Sequence, residues 1–203
     1  MRKILLALAV LYTMGNAGDC LLTQNKNINV NWKAYKTLGK IGVGGKFTAV
    51  NYTPASLEGK DFKELFVGSK VTIDTKGVDT GNADRDIKLV QFFFNKMSQN
   101  KIEGEIQSIQ ADPYSKGQPR TGIMDVMITM NGKSLLIPMK YHYEKEYFEA
   151  SGTIDLGDFM ALPALASINK SCYELHKGKT WRDVSIAFST TVTASLCDVN
   201  ITR

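Results

Sequence analysis

The sequence is poor in the residues that most enzymes use for chemistry. Its 203 residues include three cysteines and two histidines, and neither His142 nor His176 has a partner at metal-ligand spacing. It contains no nucleophile elbow, no phosphate-binding loop and no Cys-x-x-Cys. The carboxylates of Asp155 and Asp158 are more typical of a helix start than of an acid–base pair. We therefore expect a protein that is not an enzyme, with no catalytic cofactor and no metal.

Clusters of positive charge are also lacking. The formal net charge is +5, but the lysines are scattered over the outward positions of the predicted strands. A nucleic-acid footprint would need a clustered basic face with stacking aromatics, so we expect a solvated surface and no nucleic-acid partner. No repeat, low-complexity tract or interdomain linker interrupts the chain, which predicts one domain.

The N-terminal residues have the organisation of an export signal. Arg2 and Lys3 precede an apolar stretch over 4–12, and small residues follow at 15–17. This order is typical of a secretory signal peptide, and the apolar stretch is too short for a stable membrane anchor. We predict a signal peptide over residues 1–17.

The mature chain then begins close to a cysteine. A lipoprotein would need a small residue before its lipidated cysteine, and Asp19 precedes Cys20, which argues against lipidation. We predict that the mature chain is one domain over residues 18–203, exported as a soluble protein.

Alternation of apolar and polar residues is what the chain has in abundance. Neighbouring residues of a strand point to opposite faces, so each alternating segment has one apolar and one polar face. Strand starts fall near residues 28, 43, 67, 101, 122, 134, 147 and 181. Antiparallel strands must cover their apolar faces in a sandwich or a barrel. The fold class is all-β, and the count favours an eight-stranded antiparallel barrel.

Two segments follow a helical pattern instead. Asn82 is a candidate N-cap with two aspartates in the turn after it, and apolar residues recur at helical spacing, which predicts an amphipathic helix over about 83–97. A second helical segment, rich in Ala and Leu and interrupted by Pro163, is predicted over about 158–168. Both are expected to act as lids over the ends of the barrel.

Small and flexible residues occupy positions where a solid core would carry large ones. The small residues on the apolar face are Gly45, Gly104, Ala150 and Gly152. The flexible methionines near them are Met97, Met124, Met130 and Met139. Glycine also relieves strain where barrel strands coil, so both explanations stay open for each residue. As a set, these residues favour a cavity.

The three cysteines suggest one disulfide in an exported compartment. In an up-and-down barrel the last strand closes against the first, so the start of the first strand lies beside the end of the last. Cys20 and Cys197 occupy these two places and are the preferred pair, which leaves Cys172 free and buried. A bond between Cys172 and Cys197 remains the alternative.

Four motifs occur in an order that covers nearly the whole mature chain. They are VGGKF at 43–47, VDTGNADRDIKLVQFFF at 78–94, GTIDLGDF at 152–159 and WRDV at 181–184. The pair Arg85–Asp86, followed by Phe92 and Phe93, is the most specific part. With these motifs the sequence resembles the YceI-like family of periplasmic polyisoprenoid-binding proteins. The fragment over 172–184 departs from that pattern and suggests a sub-branch with its own loop.

For residues 18–203 the resemblance implies a lipid-binding β-barrel domain located in the periplasm. Its extended lipocalin-like barrel would hold an isoprenoid chain, such as a quinone tail or a polyprenyl compound. We accordingly expect a bound isoprenoid lipid or quinone, a lipid ligand as the partner, transient membrane contact, and a monomer or homodimer. Two rivals stay open. One is a carrier of another amphiphile, such as a fatty acid or fatty amide, and the other is a solid-cored structural or stress-protection module.

The candidate ligand contacts are inward-facing apolar residues of the strands and of the amphipathic helix. They are Phe47, Ile73, Leu89, Phe92, Phe93, Met97, Ile106, Met124, Val126, Ile128, Ile137, Met139, Tyr141, Gly152, Ile154, Ile186 and Phe188. Arg85 and Asp86 are candidates for contact with a quinone or phosphate head group. The alternative, which the helix-start position of Asp86 favours, is that this pair fixes the helix over the barrel opening.

Overall fold

The computed structural model describes residues 20–177 and 179–195 of the chain. In this part of the chain, 12 strands form one curled antiparallel sheet, and short helices lie between some of them. The strands are β1 (Leu21–Gln24), β2 (Asn29–Lys36), β3 (Ile41–Phe47), β4 (Val50–Thr53), β5 (Glu58–Gly59), β6 (Lys70–Asp74), β7 (Val78–Asp79), β8 (Lys101–Ala111), β9 (Arg120–Met130), β10 (Lys133–Glu144), β11 (Tyr147–Asp155) and β12 (Thr180–Ser195). The helices are α1 (Phe62–Phe66), α2 (Ala83–Phe92), α3 (Leu162–Ser171) and α4 (Tyr173–His176), with 3₁₀ turns over Thr75–Gly77 and Phe94–Lys96.

The predicted all-β class and the antiparallel, barrel-like sheet are confirmed. The strand order is β4-β6-β8-β9-β10-β11-β12-β2-β3-β7, with β1 beside β12 and β5. The eight predicted strands form an unbroken run in this order, from β6 to β3, and the last strand pairs with the first predicted one through Phe188 opposite Val30. The predicted count of eight is too low, because β1, β4, β5 and β7 have only two to four residues and cannot display a period of two.

The two ends of this strand order meet where the chain bends between β3 and β4. β3 pairs with β2 and β7, whereas β4, which is separated from β3 by only two residues, pairs with β6. At the bend, the Thr48 backbone N–H donates to Gly77 O at 2.8 Å, and the Asp74 N–H donates to Ala49 O at 3.0 Å. These bonds hold the two ends of the sheet beside each other, so the sheet curls around an apolar interior.

The first predicted helix begins where its cap predicts. Asn82 Oδ1 accepts a hydrogen bond from the Arg85 N–H at 2.9 Å, which satisfies one of the free donors of the first turn. The helix α2 ends at Phe92, and the 3₁₀ turn over Phe94–Lys96 completes the segment predicted as one helix over 83–97.

The second predicted helix is displaced toward the C terminus. It was expected over 158–168, but α3 spans Leu162–Ser171 with Pro163 in its first turn. Proline suits that position because its missing N–H would have no helical partner there. It therefore begins the helix rather than interrupting it. Asp155 does not start this helix either: its side chain accepts a hydrogen bond from the Gly157 N–H in the turn before it.

One end of the interior is filled by aromatic side chains gathered around the short helix α1. We call this cluster the aromatic plug; it consists of Phe62, Phe66, Tyr141, Tyr143 and Phe148. The ring of Phe62 lies 5.1–5.7 Å from those of Tyr141, Tyr143 and Phe148, and Phe66 lies 4.5 Å from Phe148, measured between centroids. Phe66 and Phe148 have no exposed surface. Since burying one phenylalanine side chain contributes about 1.5–3 kcal/mol, the plug is a major part of the core.

The predictions for the chain termini fall outside the described residues. These are the signal peptide over 1–17 and Cys197, the expected partner of Cys20. Both stay predictions. Within the described part of the chain, no helix combines the length and hydropathy that a membrane span requires.

Candidate functional site

A cavity of about 460 Å³ lies at the end of the sheet opposite the aromatic plug, beneath α2 and α3. On β11 the plug residue Phe148 and the cavity residue Ile154 are six residues apart, or about 20 Å at the usual rise of a strand. The lining residues are Trp32, Ala34, Tyr35, Lys36, Val43, Phe47, Asn82, Asp84, Arg85, Lys88, Leu89, Phe93, Phe94, Ile102, Met130, Ile154, Leu156, Leu165, Ile168, Cys172, Leu175, Thr180, Trp181, Val184 and Ile186. Most of them are apolar, and the charged ones belong to the mouth.

Strand register places the side chains of the cavity wall. Trp32 lies opposite Ile186, and Ala34 lies opposite Val184, on the adjacent strands β2 and β12. Residues two apart on a strand share a face, so all four side chains point to the same side. This explains why two neighbouring strands supply one continuous patch of the wall.

The lid over the cavity comes from helix residues at helical spacing. Leu89 and Phe93 lie four residues apart at the end of α2, and Leu165 and Ile168 lie three apart on α3. Side chains at these separations share one helix face. Both helices therefore cover the opening with apolar surface, as predicted for lids, although both cover the same end of the sheet.

The cavity does not arise from the small residues that suggested it. At Gly45 a Cβ atom would meet the Trp32 ring at 2.6 Å, because the indole lies across the glycine. At Gly104 a Cβ atom would meet Val71 Cγ1 at 2.9 Å. Neighbouring side chains thus occupy the space that these glycines leave.

The other two small residues belong to packed regions. A Cβ atom at Gly152 would come within 3.0 Å of Pro138 O and 3.1 Å of Met139 Cγ, and Ala150 has no exposed surface. The cavity is instead the gap between the sheet and the helices α2 and α3, which cover that end without filling it.

A second, smaller apolar cavity of about 90 Å³ lies deeper inside the sheet. Its lining residues are Ile28, Val30, Tyr52, Ser69, Lys70, Val71, Ile73, Ile102, Glu103, Gly104, Ile106, Val126, Ile128, Met139, Ile186, Ala187 and Phe188. Phe188 also lies 6.2 Å from Phe148, centroid to centroid, so this cavity is next to the aromatic plug.

The predicted contact residues divide among these regions. The large cavity is lined by Phe47, Leu89, Phe93, Ile154 and Ile186. The small cavity is lined by Ile73, Ile106, Val126, Ile128, Ile186, Met139 and Phe188. Neither cavity is lined by Phe92, Met97, Met124, Ile137, Tyr141 or Gly152. Of these, Tyr141 belongs to the plug, Met124 is fully buried, and Phe92 and Ile137 pack against the core.

Several lining residues were not among the sequence predictions. They are Trp32, Ala34, Leu165, Ile168, Cys172, Leu175, Trp181 and Val184. A signal was present for some of them: Trp32 and Ala34 share a strand face with Val30, and Trp181 begins the WRDV motif. Leu165 and Ile168 lie within the helix predicted over 158–168, whose lid role was the signal for them. Cys172 and Leu175 lie beyond that segment and carried no signal.

The predicted head-group residues hold the loop before α2. The Arg85 side chain donates from Nε to Thr80 Oγ1 and from Nη2 to Thr80 O, both at 2.8 Å. The Asp86 carboxylate accepts from the Thr80 N–H at 3.0 Å and from the Thr80 hydroxyl. These are the contacts of the structural alternative, in which the pair fixes the helix. Arg85 also lines the mouth of the cavity, and Asp86 does not.

Positive charge predominates at the mouth. Lys36, Arg85 and Lys88 line it together with one carboxylate, that of Asp84. Among the ion pairs of the described residues, none involves Lys36 or Lys88. Their ammonium groups are therefore available to a ligand group or a surface of negative charge.

The remaining candidates for chemistry lie apart. His142 is exposed on β10, 3.8 Å from the Glu144 carboxylate, and the described residues contain no group of three or more potential metal ligands. Cys172 is free and buried beside the cavity. Burial raises the pKa of Tyr141, whose hydroxyl lies in the plug without a hydrogen-bond partner.

Comparison with solved structures shows the same fold in bacterial proteins. A polyisoprenoid-binding domain from Saccharophagus degradans, implicated in plant cell wall breakdown, is 11% identical with a TM-score of 0.59, covering 85% of this chain and 98% of that one. Burkholderia cenocepacia BcnA is 12% identical with a TM-score of 0.52, covering 82% and 96%. A Campylobacter jejuni YceI protein is 18% identical with a TM-score of 0.50, covering 75% and 85%.

Sequence comparison agrees with the structural one. No curated protein sequence matches the chain. The profile of the YceI-like domain matches residues 22–192, which include every strand from β2 to β11 and most of β12. With a match over most of its length, the chain belongs to the YceI-like family.

Proposed function

We propose that this protein is an exported, non-enzymatic lipid-binding protein that holds an isoprenoid chain, from a quinone or a polyprenyl lipid, in the large cavity. The observation that carries the proposal is an apolar space of about 460 Å³ with a charged mouth at one end. Small-molecule sites typically have volumes of about 300–1,000 Å³, mostly apolar walls and a few polar groups that orient the ligand. The cavity has this character.

Burial of hydrocarbon alone suffices for useful affinity. One methylene contributes about 0.8 kcal/mol, so a five-carbon isoprene unit contributes roughly 3–4 kcal/mol. Association costs about 4–15 kcal/mol. Roughly four or five enclosed units therefore give a stable complex without a charged anchor.

Carriage of a fatty acid is the second candidate, because of the charges at the mouth. Lys36, Arg85 and Lys88 offer positive charge where the head group of a bound amphiphile would lie. A carboxylate gains charge-assisted hydrogen bonds from such groups. An uncharged quinone ring gains less from them, so identification of the bound species separates the two candidates.

The proposal includes transient membrane contact, and a group of residues that we call the rim supports it. The rim consists of Leu38, Ile41, Leu175, Lys40 and Lys179. Leu38 is 87% exposed and Leu175 is 69% exposed, and Leu175 also lines the cavity. Ile41 pairs with the mouth residue Lys36 across β2 and β3. Three exposed apolar side chains therefore lie beside the opening.

The cations of the rim are gathered around one tryptophan of the mouth. Lys179 Nζ lies 4.5 Å and Lys40 Nζ 5.2 Å from the ring of Trp181, whose Nε1 donates to Thr37 O at 2.8 Å. Lys40 also forms an ion pair with the Asp183 carboxylate at 2.7 Å, so Lys179 is the more available of the two cations. Tryptophan, leucine and lysine together suit the interface of an anionic bilayer, where apolar groups enter the surface and ammonium groups approach lipid phosphates. We propose that the rim rests on a membrane while lipid enters or leaves.

Export to the periplasm belongs to the same proposal. A carrier is useful where an insoluble chain must cross an aqueous space, and the N-terminal sequence has the organisation of a signal peptide. The predicted disulfide between Cys20 and Cys197 fits this compartment, and Leu21 pairs with Ser195 on the strands that adjoin the two cysteines. Fractionation of cells that express the full chain, with thiol labelling of the product, tests both statements.

Native mass spectrometry of the purified mature chain tests the ligand. We expect a bound species that solvent extraction identifies as an isoprenoid lipid, and the same spectrum gives the mass of a monomer or a homodimer. A fatty acid in its place would support the second candidate. Delipidated protein that takes up neither prenols nor fatty acids would contradict both and leave a structural module.

Flotation with vesicles tests the rim. Wild-type protein should float with vesicles that contain phosphatidylglycerol more than with phosphatidylcholine alone, and the variant Leu38→Ser/Leu175→Ser should lose most of that binding. Ile123→Ser is the control, because Ile123 is also exposed but lies on β9 opposite Lys140, one residue from the plug residue Tyr141. Equal flotation of all three proteins would refute the role of the rim.

A further inference from the structure

The two apolar cavities are separated by a wall of two side chains. Ile102 on β8 and Ile186 on β12 line both the large and the small cavity, and within the described residues no other side chain lines both. Both isoleucines are partly buried. A chain that enters at the mouth therefore meets these two side chains before it reaches the smaller space.

The space beyond this wall is suited to hydrocarbon. The small cavity adds about 90 Å³, and apolar side chains such as Val71, Ile73 and Ile106 surround it. It ends at Phe188, which contacts the plug residue Phe148. From the mouth inward, the order is large cavity, isoleucine wall, small cavity and aromatic plug.

We infer that Ile102 and Ile186 determine how long a hydrocarbon chain the protein holds. This inference rests on the proposed function. A chain that ends at the wall buries each of its units in existing space, whereas a longer chain must displace two β-branched side chains whose rotamers are restricted. Affinity therefore rises with chain length until the chain reaches the wall, and then levels off.

The test is a titration with geraniol, farnesol and geranylgeraniol, a series that grows by one isoprene unit at each step, extended to longer prenols. The chain has two tryptophans, Trp32 and Trp181, and both line the large cavity, so their fluorescence reports its occupation. For wild type we expect each added unit to raise affinity by roughly 100-fold or more up to a breakpoint in chain length. Beyond the breakpoint the affinity should stay constant.

Truncation of the wall should move the breakpoint. In Ile102→Ala and in Ile186→Ala the two cavities join, so we expect the breakpoint to shift to a longer prenol. Ile102→Ala is the cleaner variant, since Ile186 lies opposite the reporter Trp32. Ile73→Ala is the matched control, because Ile73 lines the small cavity alone and its truncation does not join the two spaces.

Each outcome has a distinct meaning. If wild type binds prenols but the breakpoint is the same in all variants, or moves equally in Ile73→Ala, the inference is wrong and the proposed function stands. If wild type binds no prenol, the proposed function fails and the inference fails with it. If an alanine variant does not fold, as judged by circular dichroism, Ile102→Val takes its place. This variant removes one methylene and should shift the breakpoint toward longer prenols by a smaller amount.

Discussion

The two ends of the curled sheet cover similar apolar surfaces in different ways. At one end α1 inserts Phe62 and Phe66 among aromatic residues of the strands, and the interior is solid. At the other end α2 and α3 lie over the opening and leave about 460 Å³ beneath them. The strand residues at both ends are apolar and inward-facing. Whether an end is solid or hollow therefore depends on the helix that covers it.

Strand β11 shows this within one element. Its first half supplies Phe148 and Ala150, which have no exposed surface, and its second half supplies Ile154, which lines the cavity. The alternation is the same in both halves. The helices that cover the two halves differ, with α1 at one end and α2 and α3 at the other. We therefore expect mutations at the two ends to have different effects.

The largest expected effect is the loss of a plug side chain. Phe148→Ala removes a fully buried ring that contacts Phe62, Phe66, Tyr141 and Phe188, so we expect a loss of about 3–5 kcal/mol in the free energy of unfolding. Phe93→Ala, at the cavity, should cost less, within about 0.5–3 kcal/mol, because Phe93 is half-buried. Urea denaturation measures both. Equal losses would mean that the two ends do not differ in packing.

Adding side-chain volume at either end should show the same contrast. Ala150→Leu, beside the plug, overpacks a dense region and should destabilise by about 1–3 kcal/mol. Ala34→Leu adds the same methylenes to the wall of the large cavity, where there is space, so stability should hardly change while prenol uptake falls. A thermal melt and a fluorescence titration on each variant test the pair. If Ala34→Leu were the more destabilising of the two, the cavity would not be open space.

Two adjacent glycines give a sharper test of the cavity wall. A Cβ atom at Gly45 would lie 2.6 Å from the Trp32 ring, so Gly45→Ala should displace the indole, change tryptophan emission and cost about 1–3 kcal/mol in stability. A Cβ atom at Gly44 would meet its nearest neighbour, Trp32 O, at 3.6 Å, an ordinary contact. Gly44→Ala is therefore the control, with unchanged emission. The same emission change in both variants would show that the indole does not lie across Gly45.

The smallest effect concerns the turn that leads into α3. Loss of water raises the pKa of Asp155, but the hydrogen bond and charge of Arg182 and the Gly157 N–H outweigh this, and the pKa is lowered. Such a carboxylate contributes stability above its unfolded pKa of about 3.9, and the contribution is lost as pH falls through the lower pKa of the folded state. Asp155→Asn should therefore lose a little stability at neutral pH and less at acidic pH.

A double-mutant comparison isolates this pair. Arg182→Gln should show the same small loss as Asp155→Asn, and the double variant should lose no more than either, since the two side chains share one interaction. Urea denaturation across acidic and neutral pH provides the data. Additive losses would show that the two residues act independently. Because this pair is largely exposed, its effect stays below those at the plug.

Much of the fold could be predicted from the sequence, because strand alternation is a local property. Eight strands follow from it, and the pairing of the last predicted strand with the first follows from closing them into a barrel. The start of α2 follows from another local signal, the capping side chain of Asn82. The short strands and α1 could not be predicted in this way. Phe62 and Phe66 lie in a segment with no strand pattern, and the contacts that order them come from Tyr141 and Phe148, far along the chain.

The site could be predicted only in part, because its shape also depends on contacts between residues that are far apart in the sequence. Alternation shows that Tyr141 and Ile154 point inward, but it does not show at which height in the interior they lie. Tyr141 is packed into the plug, and Ile154 lines the large cavity. The small residues Gly45 and Gly152 wrongly suggested open space, because the neighbours that occupy that space belong to other strands and cannot be identified from local sequence.

The most direct measurement is a crystal structure of the chain with farnesol bound. We expect one hydrocarbon chain that runs from Trp181 at the mouth toward Ile186 and contacts Leu89 and Phe93, with the aromatic plug unchanged. A chain held on the outer surface, or a large cavity closed by its own side chains while farnesol still binds in solution, would contradict the account.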